Sequence, residues 1–132
     1  MIKKVPTHLK SYILPFNWNV QLVWKLSANT ETMLVKEFDY LLYVPLWSSM
    51  GGKGMLFDTK PIDVIRDENC CPYQASRIQR ANLDYPIDII NFQSRLWILD
   101  GIHRLAKLYL LQKEKVLIRC HDESVMRFIT VG

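Results

Sequence analysis

The run Trp97-Ile98-Leu99-Asp100-Gly101-Ile102-His103-Arg104-Leu105-Ala106-Lys107 constrains this chain more than any other stretch. A short apolar segment ends in Asp-Gly, and a helix-forming segment begins at once with His and Arg in its first turn. This pattern predicts a strand, a tight turn and a helix, with basic side chains at the positive end of the helix dipole. The first backbone N–H groups of a helix have no intrahelical partner, so the position suits a phosphate or a carboxylate. Gly101 fits a backbone with φ > 0 or a close approach by a neighbour.

Size and composition set the frame around that switch. The 132 residues suffice for one domain with a real core, and 49% apolar against 23% charged residues is ordinary for a globular chain. No apolar stretch reaches the roughly 18 residues of a membrane span, and no apolar core follows the basic N-terminus as in a secretory signal. Three cysteines, two of them adjacent and none in C-x-x-C spacing, point to a reduced, cytoplasmic setting without a zinc site. A formal net charge of +4 makes the surface mildly basic, which gives weak attraction to nucleic acid or nucleotides.

Along the chain, residues 1–16 read as a lead-in, and Asn17 is expected to cap a first helix. Met33 to Val35 reads as a short strand, followed by a helical Lys36 to Tyr43. Ser48 to Gly54 is the loosest segment and is read as a flexible hinge, because it lacks the spacing of a P-loop. Pro61-Ile62-Asp63-Val64-Ile65 and Pro86-Ile87-Asp88-Ile89-Ile90 are nearly the same pentapeptide, and both are expected to be strands. Gln74 to Leu83 reads as a helix carrying Arg77 and Arg80. The strand Arg95 to Leu99, the helix Ile102 to Gln112 and the strand Val116 to Cys120 follow. Ser124 to Ile129 closes the sequence as a short helix or a strand. The sum is a small α/β (α+β) domain over 56–132, a mixed sheet with packed helices, joined to an aromatic-rich and mainly helical extension over 1–55 in one compact unit.

The candidate site residues cluster at the switch. His103, Arg104 and Lys107 share one side of the helix start and are candidates to hold an anion; a structural pair between Arg104 and Asp100 is the plainer alternative. Asp100 suits a turn, with Mg²⁺ binding or proton acceptance as its chemical alternative. Arg77 and Arg80 can add positive charge. His121 and Asp122 read as a solvated turn pair, Cys120 as a buried apolar residue, and Cys70 and Cys71 as accessible loop positions. Trp18, Trp24, Tyr40, Tyr43 and Trp47 are read as core or interface.

With these residues in order, the stretch from about Phe57 to Ile129 resembles the ParB/sulfiredoxin superfamily, in its Asp-Gly-x-His-Arg form. The resemblance implies that Gly101, His103 and Arg104 hold nucleotide phosphates, with Arg77, Ser76 and Arg80 assisting. It implies ATP or CTP with Mg²⁺ on Asp100, and hydrolase or kinase-like chemistry. Sulfiredoxins carry their nucleophilic cysteine where this chain has Ile102, so that reductive chemistry is not expected. The alternatives are a module binding nucleic acid through its basic face, and a protein-interaction domain such as a homodimer.

Overall fold

The structure, a computed structural model, describes residues 5–50 and 56–131. It is an α+β fold on one four-stranded mixed sheet of order β1-β4-β2-β3. The strands are β1 (Thr30–Leu34), β2 (Ile87–Phe92), β3 (Arg95–Asp100) and β4 (Lys115–Asp122). The helices are α1 (Val20–Trp24), α2 (Pro61–Arg66), α3 (Pro72–Arg80), α4 (Ile102–Leu110) and α5 (Met126–Ile129), with a long 3₁₀ helix over Val35–Tyr43.

β2 and β3 form a hairpin through Gln93 and Ser94, both with positive φ (54° and 60°), the paired left-handed residues a two-residue hairpin turn requires. β4 lies beside β2 in parallel, and β1 adds antiparallel to the far side of β4. The N-terminal half thus supplies an edge strand to the sheet of the C-terminal half, and Val35, Phe38, Leu41 and Leu42 pack with Ile87, Ile89, Leu105 and Ile118 in one core. The opposite face of the sheet meets Leu14, Val23 and Ile129 through Ile90, Trp97 and Leu99. Both faces are covered, so β2 buries four residues in a row, Ile87 to Ile90, rather than alternating.

The two near-identical pentapeptides part company here. Pro86 to Ile90 leads into the expected strand, whereas Pro61-Ile62-Asp63-Val64-Ile65 is the body of helix α2. Pro61 stands at the first helical position, where its missing N–H costs nothing. Asp63 in the first turn and Arg66 in the last complement the dipole. Pro61, Ile62 and Val64 are buried, Ile62 in the first core and Val64 in a smaller cluster with Ile78 and Ala106.

The cap of α1 is Asn19, not Asn17; its side chain accepts from the Gln21 and Leu22 N–H groups. Val35 leaves the strand to open the 3₁₀ helix. Ser124 to Ile129 takes the helical alternative, ending in α5. His121 is not a solvated turn residue: it is buried in β4, and the parallel register with β2 puts Asp88 Oδ1 2.9 Å from its Nε2. Cys120 is exposed, because a strand dictates direction but not whether anything covers it. Cys71 is buried against Val64 and Ile78, while Cys70 is exposed. Of the hinge, residues 51–54 lie outside the described residues. Its flank is fastened: Ser49 binds the Asp58 carboxylate through both N–H and Oγ, and Ser48 Oγ accepts from the Leu56 N–H.

Candidate anion site at the start of helix α4

β3 delivers the chain to Asp100, and Gly101 turns it into α4 with φ +115°. A Cβ at Gly101 would stand 2.9 Å from Ile87 Cγ1, so both the conformation and the close approach require glycine. A glycine cap also brings no side chain to the first turn, and α4 has no side-chain cap. Its leading N–H groups are left to solvent or a ligand.

Asp100 is occupied from two sides. Its Oδ2 accepts from Arg104 Nη2 and from Trp24 Nε1, both at 2.7 Å. Arg104 also donates to the Pro86 carbonyl, so its guanidinium ties the two ends of the β2–β3 hairpin to α4. This is the plainer pairing foreseen for Arg104, and it neutralises the charge of both partners. A divalent cation suits these residues poorly: Asp100 already faces a guanidinium, and no cluster of three or more His, Cys, Asp or Glu exists among the described residues.

His103 sits in a second, separate network. Its ring stacks on Trp47 at 4.4 Å between centroids and 5° between planes, and Nε2 lies 2.7 Å from Gln74 Oε1. Gln74, buried on α3, donates its own amide N–H to the Ser48 carbonyl at 2.7 Å. Burial, and secondly the Arg77 guanidinium, push the His103 pKa down to about 3. His103 is therefore a neutral ring and not one of the site's cations. The unfolded ring takes a proton near its ordinary pKa and the folded one refuses it, so stability falls as pH drops from about 6.5 toward 3. The urea midpoint is expected to be lower at pH 5 than at pH 7, with much of that difference gone in His103→Leu.

These groups border a cavity of about 530 Å³ between the N-terminal segment, the end of β3 and the helices α3 and α4. Leu14, Trp18, Trp97 and Leu99 give it apolar wall; Arg77, Arg80, Asp100, Gly101, His103 and Arg104 give it polar groups. Arg77 leans on the Tyr73 ring at 5.8 Å, and Arg80 Nε donates to the Ser76 carbonyl. Neither arginine is in an ion pair among the described residues, so the two carry the uncompensated positive charge of the cavity.

Lys107 is not brought to the cavity. Its ammonium donates to the Gln79 and Ala81 carbonyls at 2.8 and 2.9 Å, closing the C-terminal end of α3. A lysine one turn into α4 reaches the neighbouring helix before it reaches the mouth of its own. Trp47 is buried as expected, whereas Trp24, Tyr40 and Tyr43 are exposed. Gln74, Trp47 and Trp24 were not foreseen as site residues; only tertiary contacts over 29, 56 and 76 positions bring them to His103 and Asp100, and no local pattern signals that. Comparison with protein-family models, with curated proteins and with solved structures gives no match to this chain.

Proposed function

We propose that this protein binds the phosphate groups of a nucleotide in the cavity at the start of α4. One observation carries the reading: an uncapped helix N-terminus opens beside two arginines that have no carboxylate partner among the described residues, in a cavity of about 530 Å³. Ligand pockets of small molecules typically fall between about 300 and 1,000 Å³, which admits a nucleotide. The phosphates belong on the α4 amides, Arg77 and Arg80, and the apolar wall with Trp18 and Trp97 receives the base and sugar. Arg104 and Asp100 act as positioning residues that hold the Gly101 turn. ATP and CTP are the nucleotides to try, with Mg²⁺ as a separate variable.

The roles assigned here differ from those the sequence resemblance implies. Charge comes from α3 rather than from the His-Arg pair of the turn. Arg77→Ala with Arg80→Ala is expected to weaken ATP or CTP binding by at least tenfold in calorimetry, because hydrogen bonds to charged groups contribute about 1.5–3 kcal/mol each. A ligand at tenfold its Kd stabilises the fold by about 1.4 kcal/mol, read as a rise of a few degrees in Tm. Failure of both nucleotides to bind at millimolar concentration, with and without Mg²⁺, defeats the reading. Binding to DNA or RNA with a steep salt dependence, and none to nucleotides, favours the nucleic-acid alternative instead.

A further inference from the structure

The hydrogen-bond chain behind His103 determines which of its nitrogens carries the proton. The Ser48 carbonyl can only accept, so the group of Gln74 that faces it at 2.7 Å is the amide N–H₂. Gln74 Oε1 is then the atom facing His103 Nε2 at 2.7 Å, and a carbonyl oxygen also only accepts. The hydrogen therefore sits on Nε2, and Nδ1 keeps its lone pair. Turning the Gln74 amide over would set two oxygens against each other at the Ser48 carbonyl, so the alternative assignment is unfavourable. The parallel Trp47 ring fixes the imidazole plane. Nδ1 has no hydrogen-bond partner among the described residues, and it is not among the buried unpaired atoms, which are Asp39 Oδ1 and Trp47 Nε1. Nδ1 is therefore an unpaired acceptor that is not fully buried, on a residue that borders the cavity.

We propose that His103 is a specificity residue that accepts a hydrogen bond at Nδ1, so that the cavity prefers an anion that also carries an O–H or N–H donor close to its charged group. This rests on the anion reading above and deepens it. Arg77, Arg80 and the α4 amides are all donors, and they recognise only the acceptor oxygens of a ligand. A neutral imidazole with a fixed lone pair is the complementary element: it rewards a sugar hydroxyl or an amino group. A phosphate oxygen placed there would meet lone pair with lone pair.

Two measurements on the full chain test this. The first needs no ligand: nitrogen-15 long-range correlation spectra between pH 5 and 8, with the His103 signals assigned by their loss in His103→Leu. A proton on Nε2 and none on Nδ1 is expected throughout; a proton on Nδ1, or an imidazolium at pH 6, overturns the inference. The second compares ATP with inorganic tripolyphosphate at pH 8, the latter having the phosphates without the hydroxyl and amino donors. Wild type is expected to favour ATP by about tenfold or more. His103→Leu is expected to lose roughly fivefold to tenfold on ATP and little on tripolyphosphate, as for one hydrogen bond and the group it leaves unpaired. Gln74→Glu, which sets a carboxylate against Nε2 and favours a cationic ring, is expected to shift preference toward tripolyphosphate. Equal binding of the two probes by all three proteins overturns the preference alone. Binding of neither probe overturns the anion reading, and the preference falls with it.

Discussion

Replacing Gly101 with alanine is expected to cost about 4 kcal/mol of stability. Two penalties add. A backbone at φ +115° lies where residues with a Cβ are strained, at about 1–3 kcal/mol. The new Cβ also stands 2.9 to 3.2 Å from three atoms of Ile87, which is fully buried in a central strand and cannot withdraw, adding a similar amount. Urea unfolding of Gly101→Ala measures the sum. The double mutant with Ile87→Ala separates the parts: relief of the contact makes the pair less destabilised than the two single losses added together. A loss under about 1 kcal/mol for Gly101→Ala means that the turn can rearrange, and the rigid placement of the α4 start fails with it.

The second large loss is expected at Asp88. Its Oδ1 accepts from Arg119 Nε at 2.7 Å and from His121 Nε2 at 2.9 Å, and the carboxylate and the imidazole are both almost wholly buried. Asp88→Ala leaves a guanidinium and a ring without their acceptor inside the protein, at a cost of about 3 kcal/mol. The figure stays at the lower end of the range for broken buried pairs because Arg119 keeps two other acceptors, the Leu26 and Val23 carbonyls. Asp88→Asn, which preserves an acceptor oxygen, is expected to lose about half as much. Those two carbonyls close the end of α1, so hydrogen exchange in Asp88→Ala is expected to rise there as well as in β2 and β4. An unchanged urea midpoint in Asp88→Ala shows that the cluster contributes nothing net.

The elements legible in the sequence are those whose signal is local. The switch at Asp100-Gly101 contains its own apolar run, its own glycine and its own helical face, and it folds as that pattern says. Pro61 to Ile65 carried no such self-sufficient signal. Its composition equals that of a strand, and what separates it from Pro86 to Ile90 lies downstream: Gln93 and Ser94 turn the second copy back on β3, while the first copy has no partner strand to meet. The candidate site was legible in its place and not in its chemistry. The turn, Arg77, Arg80, His103 and Arg104 do border one cavity. The charge they offer the cavity does not follow from residue type, because the Asp100 carboxylate compensates the Arg104 guanidinium and burial beside Trp47 keeps His103 neutral. His121 shows the same limit. Its neighbour in sequence, Asp122, caps the following turn, and its working partner stands 33 positions earlier.

The order of the sheet also bears on how the chain is made. β4 separates β1 from β2, so among the described strands the last in sequence is an interior one and the first pairs with β4 alone. While residues up to about 114 have left the ribosome, only the β2–β3 hairpin among the described strands can close. β1 has no partner among the described strands until β4 arrives, so until then its edge, and the side of β2 that β4 will cover, are open to pairing with other chains.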